Sequence, residues 1–150
     1  MSKKQTAIVT NEQQILLSAQ PVKFPDPKCG IYFLIKDQKV VYIGKSTNID
    51  GRILQHSASK DFDAFSWVPY MEDQLCEMEP EYIMHYKPLL NQRIPKSRFM
   101  SKASIKKEFN VHMGKAKRVL KLNGASEYSF NGMVYYDRNE VSEILEAYYV

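Results

Sequence analysis

The sequence predicts an α/β fold, more narrowly α+β, in two parts. Three observations carry this. Between about residues 29 and 94, short runs of β-forming residues and helical patterns follow one another in the order β-β-α-β-α. Beyond a proline-bearing connector at 91–98, the pattern changes to helix, helix, hairpin, helix. The 150 residues are 44% hydrophobic and 25% charged, too apolar for disorder and enough for one ordinary core or two small ones.

The elements follow in order. Residues 1–28 read as an N-terminal extension. In it Asn11 caps a short helix over 12–18, before the punctuation of Pro21, Pro25 and Pro27. Residues 31–35 and 40–43 are β-formers around Asp37-Gln38, which predicts a hairpin without an Asn-Gly signal. Asn48 and its polar neighbours offer N-caps to a helix over 49–58, where Ile49, Ile53 and Leu54 recur at helical spacing. Residues 65–70 form a third strand. Residues 73–86 are helical, with Leu75, Met78, Tyr82 and Ile83 on one stripe. Pro80 predicts a kink there, or the first turn of a new helix, and Pro88 ends the pattern.

In the second part, helices are expected at 104–109 and 115–122, the latter closed by Asn123-Gly124. Asn131-Gly132, between β runs at 128–130 and 133–136, is the strongest hairpin signal in the chain. Asp137 with Glu140 gives a capping-box pattern before a last amphipathic helix carrying Val141, Ile144, Leu145 and Tyr148. This order is that of a winged helix-turn-helix.

Several function classes drop out. There is no G-x-x-x-x-G-K-[ST] phosphate loop, no G-x-G-x-x-G and no zinc motif. No signal peptide and no apolar run of membrane-spanning length is visible, so no membrane partner is expected. Two cysteines, Cys29 and Cys76, are too few for a disulfide scaffold, and a cytoplasmic setting follows as the expectation. The net charge of +4 is unevenly placed. Residues 1–94 carry eleven Lys/Arg and eleven Asp/Glu, whereas 95–150 carry ten against six. Between Lys96 and Lys121 there are nine basic residues and one acidic, Glu108. An anionic polymer suits such a basic segment, although a solvated basic helix face accounts for charge alone equally well.

One ordered set of residues stands out. Gly30-Ile31-Tyr32 and Tyr42-Ile43-Gly44 lie ten residues apart from Tyr to Tyr. Lys45, Ser46, Asn48, Arg52, His56, Glu79 and the run Pro88-Leu89-Leu90-Asn91 follow. On these residues, the block from Cys29 to Asn91 resembles the GIY-YIG nuclease domain. The resemblance implies a three-stranded antiparallel sheet flanked by helices, and a metal-dependent nuclease. It divides the chain into an extension at 1–28, a nuclease domain at 29–94 and a basic winged helix-like domain at 95–150.

The chemistry is coherent on its own terms. Phosphodiester hydrolysis needs an activated water, neutralised charge at phosphorus and help for the leaving oxygen. Tyr32 and Tyr42 sit on the two hairpin strands, and a register placing them on one face brings their phenols together. A free phenol titrates near pH ~10, so a phenolate base needs positive charge or a proton acceptor nearby. Arg52, His56 and Lys45 supply both, Arg52 and His56 lying on one helix face at i and i+4. A guanidinium there can hold a phosphate oxygen. Glu79 is the expected single metal ligand, which is enough for Mg2+ when water and substrate phosphate complete its shell. Mn2+ is expected to substitute. Glu77 and Glu81 are neighbouring alternatives. By the resemblance, Tyr32 is the general base and His56 takes its proton, with Tyr42 open for the same role. Asn91 supports the site by hydrogen bonding.

Each residue has a plain structural reading as well: half-buried strand tyrosines, a solvated Arg52–His56 helix face, a helix-start carboxylate at Glu79. What those readings leave unexplained is the common order. Arg93, His85, His112 and Trp67 are expected to be structural or surface residues, and Cys29 a packed thiol.

Lys115, Lys117, Arg118 and Lys121 place a basic face on the second helix of the C-terminal part, suited to the major groove of double-stranded DNA. The overall expectation is a metal-dependent DNA endonuclease of homing, phage or restriction type, with a homodimer as one route to cutting both strands. The alternatives are an inactive DNA-binding regulator and a repair nuclease acting on branched DNA.

Overall fold

The structure, a computed structural model, describes residues 8, 11–20 and 28–149. The proline punctuation expected at Pro21, Pro25 and Pro27 lies outside the described residues. Contacts divide the chain into two compact units, Met1–Gln92 and Arg93–Val150.

The first unit is built on a three-stranded antiparallel sheet, strand order β2-β1-β3. Strands β1 (Gly30–Lys36) and β2 (Lys39–Ser46) form a hairpin. Asp37 and Gln38 both take positive φ, 49° and 62°, the conformation of a type I′ turn without the glycine that normally favours it. The Asp63 carboxylate holds the turn by accepting from the Asp37 N–H. A register shift between Leu34 and Ile35 gives β2 one extra residue, Val41. Helix α2 (Ile49–Ser57) starts at Asn48, whose side chain accepts from the Gly51 N–H, and leads to β3 (Ala64–Pro69).

Helix α3 (Leu75–Tyr86), entered through a 3-10 turn at Glu72–Gln74, runs through Pro80 without a break. The expected start of a new helix at Pro80 is therefore corrected. Burial of Leu75, Met78, Tyr82 and Ile83 on the sheet outweighs the one hydrogen bond that proline forfeits. The helix ends at Lys87 in the left-handed conformation, just before Pro88.

Side chains alternate across the central strand. Tyr32 and Leu34 pack with Ile49, Ile53 and Phe65 under α2. Phe33 meets Tyr82 and Tyr86 of α3 edge-on. Helices on both faces explain why β1 is buried along nearly its whole length. The described part of the N-terminal extension is also tied in. Helix α1 (Glu12–Leu17), capped by Asn11, buries Ile15; Ser18 Oγ lies 2.8 Å from Ser66 Oγ; and Gln20 bridges to Phe65.

The second unit contains β4 (Phe99–Ser101), α4 (Lys102–Phe109), α5 (Met113–Leu122), β5 (Glu127–Phe130), β6 (Met133–Asp137) and α6 (Arg138–Tyr149). Its sheet order is β4-β6-β5. The three-residue β4 is absent from the sequence expectation because so short a run carries no periodicity. The expected β5–β6 hairpin is present, and its turn takes the I′ form, with Asn131 at φ 48° and Gly132 at φ 75°. The capping box at α6 is only half formed. Asp137 Oδ1 accepts from the N–H groups of Asn139 and Glu140, but the Glu140 carboxylate turns to the Ser126 N–H and hydroxyl. The core joins Met100, Ile105, Ala116, Val119, Leu120, Tyr136, Val141 and Leu145.

Among the described residues, no helix is long and apolar enough to cross a membrane.

Candidate active site

The hairpin register places Tyr32 opposite Gly44 and Tyr42 opposite Leu34. The two tyrosines are therefore diagonal neighbours on one face, with ring centroids 6.3 Å apart. Gly44 is needed here: a Cβ at that position would stand 2.3 Å from Tyr32 Oη, so the Tyr32 ring lies across the bare glycine. Gly30 answers a similar demand, since a Cβ there would meet the Val68 carbonyl oxygen at 2.1 Å.

Helix α2 sends His56 down onto these rings. Its Nε2 is 2.7 Å from Tyr32 Oη, and its ring centroid is 5.0 Å from that of Tyr42. In the tautomer carrying its proton on Nδ1, the imidazole accepts from the Tyr32 hydroxyl. Both partners are neutral at neutral pH. Burial, then Lys60 and Arg52, push His56 down to about 4. Burial and the neighbouring Tyr42 hold Tyr32 well above the usual phenol range, against the opposing pull of Arg52. Tyr42 is also raised, first by burial and then by Glu79.

Arg52, one turn before His56, is exposed; its Nη1 donates to Gln55 Oε1 at 2.8 Å. With Lys45, Asn48, Glu72 and Cys76 it lines an open cleft of about 470 Å³.

Lys45 projects from the other face of β2 toward α3. Its Nζ lies 3.5 Å from Glu79 Oε2 and donates to Cys76 Sγ at 3.2 Å. Burial alone would lower this ammonium, yet Cys76 and Glu79 leave it raised. Glu79 is raised by burial, with Lys45 and Arg52 pulling it back. Because β2 is an edge strand, groups from both sheet faces converge at its end: the same Glu79 and Arg52 charges act on both phenols.

Asn91 does different work from the other residues named in the sequence. Its amide is spent on the backbone of Ile43, Oδ1 accepting from the N–H and Nδ2 donating to the carbonyl, both at 2.9 Å. This ties the open edge of β2 between Tyr42 and Gly44.

The site also holds side chains outside the sequence motif, Cys76 and Lys60 among them. Cys76 contacts Lys45, and no spacing pattern in the sequence points to it. Lys60 sets its Nζ 4.8 Å from the centre of the Tyr42 ring. The spacing of Arg52, His56 and Lys60, each four residues from the last, was a usable signal. Lys115, Lys117, Arg118 and Lys121 belong to the second unit, all exposed on α5, with Lys115 Nζ over the rings of Tyr148 and Tyr149.

A divalent cation fits the donor chemistry of Glu79. Its carboxylate is largely withdrawn from water, and among the described residues its ion-pair partner is the Lys45 ammonium at 3.5 Å. Among the described residues, no three His, Cys, Asp or Glu side chains cluster as a closed metal cage. Magnesium-type sites take one or two carboxylates and complete their shell with water and phosphate.

Comparison with protein families places the first unit among the phosphodiesterase nucleases. The family model that matches is the GIY-YIG catalytic domain, over residues 28–93. This part of the chain is a GIY-YIG catalytic domain, which implies a DNA substrate; nucleases of this kind generally use a divalent metal. Comparison with curated proteins and with solved structures gave no significant match.

Proposed function

We propose that the chain is a magnesium-dependent DNA endonuclease whose C-terminal part holds double-stranded DNA, of the kind found in homing, phage or restriction systems. The observation that carries the reading is the buried Tyr32–His56 hydrogen bond, set beside Tyr42 and within electrostatic reach of Arg52 and Glu79.

Tyr32 is the general base. Its Oη takes a proton from the attacking water as its own proton passes along the 2.7 Å bond to His56 Nε2. A neutral imidazole is ready to receive that proton. The arriving phosphate anions offset the cations that hold His56 down, which strengthens it as a base when substrate is present. Arg52, exposed at the cleft, grips a phosphate oxygen. Lys45 neutralises and orients the Glu79 carboxylate. Glu79 would hold the metal, Mg2+ with Mn2+ able to replace it, and the bound ion would polarise the phosphate and stabilise the departing 3′ oxygen.

The second unit is read as a winged helix. Three features support this. The short first strand joins the same sheet as the later hairpin, in order β4-β6-β5. Three residues, 110–112, separate α4 from α5, with Asn110 at φ 51°. Lys117, Arg118 and Lys121 share an exposed face of α5 at i, i+1 and i+4. With one active site per chain, cutting both strands calls for two successive cuts or a homodimer.

The test is plasmid DNA incubated with Mg2+ or Mn2+. Cleavage is expected in the wild type, with a loss of about a hundred- to ten-thousand-fold in Tyr32→Phe and Glu79→Ala. Intact plasmid with every metal, alongside retained DNA binding, would replace the endonuclease with a non-cutting DNA-binding protein.

A further inference from the structure

Lys60 lies beyond the end of α2, in neither the family tripeptides nor the cleft, yet it folds back over the site. Its backbone N–H donates to the His56 carbonyl at 2.8 Å, a carbonyl that also accepts from the Ser59 N–H at 3.0 Å. These two hydrogen bonds to one carbonyl fix the turn after the helix. The fixed turn delivers the ammonium to the face of the Tyr42 ring, 4.8 Å from its centre. A cation on an aromatic face is held by the ring quadrupole, so it restrains the ring as well as adding charge. The Tyr42 ring is in turn 5.0 Å from His56 and 6.3 Å from Tyr32.

We infer that Lys60 is a positioning residue of the nuclease site: its ammonium, seated on the Tyr42 ring, orients that phenol against Tyr32 and His56. The inference rests on the catalytic reading of Tyr32 and His56 above. The groups acting on His56 are Tyr32 from β1, Tyr42 from β2, Arg52 one turn earlier on α2, and Lys60. Burial is the main reason the imidazole stays neutral, and of the two cations Lys60 adds to it more than Arg52. Lys60 thus acts on the site through the Tyr42 ring and a fixed charge, without touching the reacting atoms.

The test begins with the metal-free full chain, in which the ring protons of His56 are followed by NMR through an acid titration and assigned with His56→Gln. The wild-type midpoint is expected at about 4. In Lys60→Met it moves up by about 0.5 pH unit or more, and in Lys60→Arg it returns toward the wild-type value. In the plasmid assay, Lys60→Met lowers kcat about tenfold and moves the acid limb of the pH profile upward, with KM little changed. An unmoved His56 midpoint in Lys60→Met overturns the inference. So does a rise in KM with a weaker salt dependence while kcat and the acid limb stay put, because Lys60 would then be a plain phosphate contact. Wild type and Glu79→Ala run beside these variants: equal cleavage by both would sink the catalytic reading, while the NMR midpoint still decides whether Lys60 controls His56.

Discussion

At the scale of single residues, the site depends on one close approach. Tyr32 is 1% exposed, and its ring occupies the space that a side chain at position 44 would need. Gly44→Ala is therefore expected to drive Tyr32 off the His56 Nε2. Cleavage should fall at least about a hundredfold, as for loss of a general base, while the circular dichroism spectrum keeps its native form. His56 has a consequence for stability. It stays neutral in the fold down to about 4, whereas its ordinary value is 6.5. Between those two pH values the unfolded chain carries a proton that the folded chain lacks. The contribution of His56 is therefore constant above about pH 6.5 and falls as pH drops toward 4. Denaturation series at several pH values should show a shallower loss of stability over this window in His56→Gln than in the wild type. An identical slope would mean that the imidazole is not held neutral.

At the scale of elements, two hairpin turns of the same kind differ in how well their residues suit them. Asn131-Gly132 places glycine at φ 75° without strain, whereas Gln38 is forced to φ 62° with a full side chain. A non-glycine residue in this region costs about 1–2 kcal/mol. Gln38→Gly should accordingly raise the denaturation midpoint, by about 1 kcal/mol in unfolding free energy, and leave cleavage unchanged. The turn is tolerated because the β1–β2 register is fixed elsewhere, by burial of both faces of β1 and by the clamp of Asn91 on Ile43. The helices show the same subordination of local preference to packing. α3 keeps Pro80 because its apolar stripe is buried, and Glu140 leaves its expected capping partner for Ser126.

At the scale of the whole molecule, charge is partitioned. The neutral first part holds the proposed reacting groups, and the segment between Lys96 and Lys121 holds nine basic residues against one acidic. If α5 lies on DNA as proposed, replacing Lys117, Arg118 and Lys121 together by Gln should weaken duplex binding and flatten its salt dependence. The slope of log K against log salt should fall by about 0.9 for each phosphate that the variant no longer neutralises. Binding that keeps its slope in the triple variant would remove α5 from the interface. Chelating the divalent metal should stop cleavage in either case, with plasmid integrity on a gel as the readout.

Most of this architecture was legible in the chain, because hydrophobic periodicity and turn chemistry are local signals. The β-β-α-β-α order, the helix-helix-hairpin-helix order and the Asn-Gly turn all follow from residues close in sequence. The ordered set from Tyr32 to Asn91 pointed to the candidate site for the same reason: its spacings are visible without coordinates. β4 was not legible, since three residues gain a strand's identity only by pairing with β6. Nor was the diagonal of Tyr32 and Tyr42 across Gly44, because register is decided by both faces of the sheet at once. Lys60 on the Tyr42 ring and Cys76 on the Lys45 ammonium belong with these. Such contacts join groups distant along the chain, and only the burial and close packing that fix every backbone segment against its neighbours select them.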